Sequence, residues 1–481
     1  MFDPVQARRY FLAECGYGLG RAALAGLLPT AASSAWAATP ETRPAPELPI
    51  PGLADLPHFA PRAKRIIHLF MAGAPSHLEL FDYKPKLREL AGKPLPPEVI
   101  GGQRYAFIRP DSAVLEPQFH FGPPCASGIQ LSDALPHLRG IADKLCFVRS
   151  MHTDQFNHAP AQIFINTGFA QPGRPSLGSW LVYGLGCETQ ELPAYIVMST
   201  GAGISGGAAN WSSGFLPTRY AGTRLRSSGE AILNISNPKG VTSQIQQQSV
   251  ETIAKLNRQR ASIVGDPEIS SRIAAYEMAF RLQSTAPELV DIASETRETL
   301  DLYGCEPEKP SFARACLMAR RLMERGVRMV TVYNEGWDAH SDVKANHTKN
   351  CRETDRASAA LILDLERRGL LEDTLVVWGG EFGRTPMVES NPTLGRKQGR
   401  DHHPQAFTIW LAGGGIKPGM VLGKTDELGF HVVEQPTHIH DLQATLLHLL
   451  GIDHERLTYF HQGRNFRLTD VHGRVISEII A

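Results

Sequence analysis

The chain has 481 residues, a length that admits one α/β enzyme with insertions as readily as several domains. Its 42% hydrophobic and 20% charged residues, with 44 Gly and 34 Pro, exclude disordered and fibrous classes and describe a loop-rich globular protein. The 49 basic residues balance 49 acidic ones, which leaves no electrostatic footprint for nucleic acid or an anionic membrane surface.

The N-terminus reads as targeting rather than fold. Ala7-Arg-Arg-Tyr-Phe-Leu12 sets a twin arginine before an Ala/Gly/Leu-rich segment that closes on Ala35-Trp-Ala37, a small-x-small pattern. This resembles a twin-arginine export signal over residues 1–37, with cleavage near Ala37. The expected partner is the export machinery, and the expected destination is the periplasm or cell envelope. The apolar part is short and interrupted by glycines and Arg21, so the mature chain is expected to carry no transmembrane span. Cys15 falls in the signal; Cys125, Cys146, Cys187, Cys305, Cys316 and Cys351 follow without a Cys-x-x-Cys pair, which argues against a zinc knuckle and leaves disulfides open. Residues 38–64, rich in Pro and Ala, read as a linker.

Arg65 to Met71 is a first buried strand, ending in Gly73-Ala-Pro-Ser76-His77-Leu-Glu-Leu-Phe-Asp82. Ser76, His77 and Asp82 are second-rank site candidates there, against a plain role in capping the next helix. Cys146-Phe-Val148 is a second short strand. After it, Pro160 suits a first helical turn and places Asn157 and His158 at a helix N-terminus, where free N–H groups suit an anion or an attacking group. An N-cap role accounts for Asn157 but not for His152, Asp154 or His158.

Residues 201–240 read as irregular, 241–303 as one or two long helices forming an insertion, and Ser311 to Arg325 as a further helix. The sheet resumes with Val327 to Tyr333, followed by Trp337-Asp338-Ala-His340. A helix over about 353–368 leads to Thr374-Leu-Val-Val-Trp378, and then come Gly-Gly-Glu381-Phe-Gly-Arg384 and a polar loop. Gly399-Arg-Asp401-His402-His403 precedes a last strand, Phe407 to Leu411, and Thr437 to Leu450 is a helix stopped by Gly451.

Carboxylates and imidazoles at several strand ends are a ligand set for a divalent ion: zinc or manganese, or calcium if oxygens dominate. Asp338, His340, Glu381, Asp401 and His402 are the expected ligands, with His403 of second rank. Arg384 and Arg400 flank them, and a guanidinium there suits a phosphate or sulfate ester, although pairing with a local acid accounts for either one alone.

Taken in order, the motifs around Ser76-His77, Asn157-His158, Asp338-Ala-His340, Gly-Glu381-Phe-Gly-Arg384-Thr-Pro, Arg400-Asp401-His402 and Gly-Gly-Gly-Ile-Lys-Pro-Gly419 resemble an uncharacterised bacterial sulfatase-like family related to the alkaline phosphatase superfamily. The likeness runs from about Arg65 to the C-terminus. It implies an α/β fold, a large mixed sheet sandwiched between helices, with a metal-assisted ester-hydrolase site at the strand ends. Aligning Asn166-Thr167-Gly168 with the superfamily's Leu-Thr-Gly puts His158 at the nucleophile position, with no cysteine for a formylglycine. The first strand offers Ser76 and His77 in place of an aspartate pair, and Phe382 stands where a ligand beside Glu381 is expected. The expected catalytic residues are therefore His158, as nucleophile or base, with Asn157 and Arg384. The function implied is an exported metal-dependent hydrolase of sulfate or phosphate esters. The alternative is an inactive hydrolase-like fold that binds an anionic glycan or headgroup at the cell envelope.

Overall fold

Strand β1 (Arg65–Ala72) is buried along seven of its eight residues, which requires cover on both of its faces. The computed structural model describes residues 50–481 apart from 102–104, 106, 110, 202, 227–236 and 239. The expected export signal and the first part of the linker lie outside the described residues. From Ile50 onward the segment read as linker lies against the domain: Leu53 N–H donates to Gly184 O at 2.8 Å and Arg62 N–H to Leu449 O at 2.8 Å.

The other strands are β2 (Cys146–His152), β3 (Tyr195–Ser199), β4 (Thr223–Arg226), β5 (Met329–Glu335), β6 (Thr374–Gly379), β7 (Gly383–Asn391), β8 (Arg396–His403), β9 (Phe407–Ala412) and β10 (Met420–Leu422). One mixed sheet takes the order β10-β2-β9-β6-β1-β5-β3-β4, with the short strand Thr437–His438 added beside β2. Parallel pairing joins β1 to β5 and β6, β3 to β4 and β5, and β2 to β10, whereas β9 runs antiparallel to both β2 and β6.

Helices cover both faces, and the alternation of β1 feeds both. Ile67, Leu69 and Met71 join a cluster with α5 (Phe312–Glu324) and α6 (Val343–Arg367). Ile66 and Phe70 point the other way, toward α1 (His158–Thr167), α2 (Leu177–Leu185) and α7 (Ile439–Leu449). Each such side chain contributes about 1.5–3 kcal/mol on full burial, so both helical layers are firmly held. This is an α/β fold with a large mixed sheet between helices. Within residues 241–303 lie α3 (Ser243–Val264) and α4 (Pro267–Val290), which pack on each other through Ala254, Ile269 and Ile273.

Three expectations need correction. Residues 201–240, read as irregular, contain the sheet strand β4. The polar loop after Glu381 is a hairpin, β7 with β8, in which Arg384 pairs with His402 and Glu389 with Gly399. Its buried side chains are largely charged, so no apolar periodicity marks it. The helix expected over 353–368 starts earlier, where Asp342 caps α6 by accepting from Ala345 N–H. Among the described residues all six cysteines are free, and no helix is long and apolar enough to cross a membrane.

Candidate metal centre

Parallel strands deliver their following loops to one edge of a sheet, and here that edge gathers the polar residues. Asp338 and His340 follow β5, Glu381 lies between β6 and β7, and His158 is the first residue of α1 after β2. His402 reaches the same place from β8. Two glycines let these segments approach. Gly73, at φ +112°, ends β1 against the Asp338 loop, where a Cβ would stand 2.4 Å from Asp338 N. Gly399 brings β8 against His340, whose carbonyl carbon a Cβ would meet at 2.1 Å.

Three imidazoles converge on one carboxylate oxygen. From Asp338 Oδ1 the Nε2 atoms of His158, His340 and His402 lie at 3.1, 3.0 and 3.5 Å. Each ring is held by its opposite nitrogen. His158 Nδ1 lies 2.6 Å from Glu381 Oε1, His340 Nδ1 bonds Glu389 Oε2, and His402 Nδ1 lies 2.7 Å from the Phe156 carbonyl. A proton on Nδ1 satisfies all three of these acceptors and leaves the Nε2 lone pairs facing inward. The Nε2 atoms of His158 and His402 are buried and hydrogen-bonded to nothing, because Asp338, although near, lies outside bonding geometry.

The donor set fits an ion. Bonds of about 2.0–2.2 Å to a central cation give a tetrahedron with edges of about 3.3–3.6 Å, close to these nitrogen–oxygen separations. Among the described residues, two groupings bring ligand atoms within 4.8 Å of one another: His158, Asp338, His340 and His402, and His340, Glu389 and Asp401.

The charges follow from these contacts. Burial disfavours a charged His158, but Asp338 and Glu381 outweigh it and push its pKa up to about 9. His340 is likewise disfavoured by burial and raised on balance by Asp338 and Glu389. His402 has no second carboxylate, and burial pulls it down to about 3 despite Asp338. Burial also opposes the Asp338 carboxylate, yet the three imidazoles and Arg384 hold its pKa well below the ordinary range. Asp401 is pushed up, chiefly by burial.

The remaining sequence candidates occupy varied places. Glu381 stands behind His158, accepting also from Gly73 N–H at 3.0 Å and Gln162 Nε2 at 2.9 Å. Asp401 accepts from the N–H groups of His402 at 2.7 Å and Phe107 at 3.0 Å. Asn157 is exposed at the head of α1, and its side chain makes no capping bond. Arg384 is wholly buried; it donates to Asp338 Oδ1 at 2.6 Å and to the carbonyls of Gly73, Ala74 and Arg400.

Arg400, also buried, is taken by Glu79 and by the carbonyls of Leu115, Glu116, Thr385 and Pro386. The second-rank group stands outside both groupings. Ser76 N–H donates to His347, His77 Nε2 and His403 Nε2 face the carbonyls of Gly429 and Phe430, and Asp82 is bound by Lys84 and Thr425.

Sequence reasoning passed over Glu389, Gln162, Phe107 and Arg396. Recognition of the hairpin would have exposed Glu389, since strand register sets it opposite Gly399, two residues before Asp401. No local pattern marks Phe107, which reaches the site from a loop and meets the rings of His340 and His402 edge-on.

Residues 63–480 match the family described as "Protein of unknown function (DUF1501)". The chain belongs to that family. No curated protein matches it. Solved structures similar to this member include PsFucS1 sulfatase from Pseudoalteromonas sp., at 11% identity over 82% of this chain and 69% of that one, with a TM-score of 0.35. Another is the phosphonate monoester hydrolase SpPMH from Silicibacter pomeroyi, at 16% identity over 70% and 72%, with a TM-score of 0.31. The alkaline phosphatase from the Antarctic bacterium TAB5 is 11% identical over 76% and 94%, with a TM-score of 0.30.

Proposed function

We propose that the protein is an exported, metal-dependent hydrolase of sulfate or phosphate esters, with His158, Asp338, His340 and His402 as its ion-binding residues. One observation carries this reading: three Nε2 atoms face a single carboxylate oxygen while each Nδ1 is engaged by an acceptor. Three nitrogen donors favour zinc or manganese over calcium, which prefers oxygen. A divalent ion bound there would supply a Lewis acid for a phosphoryl or sulfuryl oxygen and lower the pKa of water.

The chain's own residues do the rest. Glu381 and Glu389 fix the rings and tautomers of His158 and His340, and Arg384 holds Asp338 in place. Asn157, exposed at the head of α1, offers an amide to an ester oxygen beside the first N–H groups of the helix. In this arrangement His158 serves as a ligand, and water takes the part of nucleophile. Export rests on the twin-arginine pattern of residues 7–12.

The test is metal analysis of the purified protein, with hydrolysis of an aryl sulfate and an aryl phosphate before and after chelation. Stoichiometric ion and chelator-sensitive turnover of either ester support the reading. Metal-free protein with full activity contradicts it, and metal-bound protein that binds the anion without turnover favours the inactive alternative.

A further inference from the structure

An anionic ester is recognised best by a cation alongside the ion-binding residues, and the two arginines picked out by the sequence are already engaged. Arg384 and Arg400 are both fully buried, their guanidinium groups taken by carboxylates and backbone carbonyls. Arg396 differs. It leads β8 with 23% of its side chain exposed, and NH1 donates to Glu389 Oε1 at 2.5 Å. The other oxygen of that carboxylate holds His340, so a single carboxylate separates Arg396 from the cluster.

The Arg396 guanidinium carbon also lies 4.7 Å from the centre of the Phe107 ring. That ring, 41% exposed, meets His340 edge-on at 5.0 Å and His402 at 5.9 Å. Cation–π attraction draws the guanidinium toward a ring that itself borders the cluster. Among the described residues, no protein acceptor takes its Nε or its second terminal nitrogen. A planar group with unused donors at an accessible rim suits the paired oxygens of a phosphate or sulfate.

We propose that Arg396 binds the anionic oxygens of the substrate, with Phe107 as the platform that positions it, which makes the substrate an oxyanion ester rather than a neutral ester or amide. This rests on the hydrolase reading for its catalytic part but not for its binding part. The experiment uses the metal-loaded protein with inorganic phosphate and inorganic sulfate as equilibrium probes, beside kcat and KM for the aryl esters and metal content, in Arg396→Gln and Arg396→Lys.

Loss of one charge-assisted, paired contact is expected to raise the Kd of the anion and the KM of the ester by roughly 10- to 100-fold, with kcat and metal content close to wild type. Lysine, which keeps the charge, recovers part of that loss. Three results overturn the proposal: wild type that binds neither anion, Kd and KM that shift by less than about twofold in Arg396→Gln, or a fall in metal content or kcat alone, which would make Arg396 only a support for Glu389. Anion binding that depends on Arg396 in a protein that turns over no ester sinks the hydrolase reading and upholds the proposal.

Discussion

Two groups of histidines and acids are built from the same residue types and behave oppositely, one buried throughout and the other centred on Asp338, whose side chain is 41% exposed. In the group of His77, Asp82 and His403, each imidazole gives Nε2 to a backbone carbonyl, and burial pulls both histidines down, His403 to about 3. Asp82 is matched by Lys84. In the group of His158, Asp338, His340 and His402, carboxylates and a carbonyl take Nδ1 instead, and the Nε2 atoms converge on an oxygen. The type of residue is shared; which ring nitrogen remains available is not. That choice turns one group into packing and the other into a candidate centre.

Breaking the comparison at its strongest point calls for Asp338→Asn, which is expected to lower affinity for zinc by at least about 100-fold and abolish chelator-sensitive turnover, as read by equilibrium zinc titration. Glu381→Gln and Glu389→Gln act one contact further out and should each cost about 10–100-fold in zinc affinity while the fold survives. His403→Asn tests the other group: unfolding in urea should show a loss of about 1–3 kcal/mol, with zinc affinity unchanged.

The two groups also carry opposite pH signatures. The His158 pKa is raised in the fold, so the stability it adds to metal-free protein is fully present below its unfolded value and is lost as pH rises through about 9. His403 is depressed to about 3, so its contribution is lost as pH falls below the unfolded histidine value. An ion must displace the His158 proton, so zinc affinity should climb with pH up to about 9. A pH-independent affinity would contradict the assignment of His158 as a ligand.

Much of the sheet was legible because β1, β5, β6 and β9 are apolar runs bounded by Gly or polar turns. The brief strand β3 carries the same kind of run, Tyr195-Ile-Val-Met198, without having been read as a strand, whereas β4, Thr223-Arg-Leu-Arg226, gave no such signal. The hairpin of β7 and β8 was hidden for a deeper reason: its buried side chains include Arg384, Glu389, Arg400, Asp401 and His403, whose charges and rings are taken by other side chains or by backbone. Hydrophobic periodicity does not report a core of that kind. The same limit governed the site. Asp338, His340, His158 and His402 were recognisable by type and position, whereas Glu389 and the roles of Arg384 and Arg400 depend on contacts between segments far apart in sequence.

The most direct test is anomalous X-ray scattering at the zinc edge from crystals of the zinc-loaded protein. The account predicts one peak about 2.0–2.1 Å from the Nε2 atoms of His158, His340 and His402, with Asp338 completing its shell. No peak among those atoms, or a peak held by Glu389 and Asp401 instead, would contradict it.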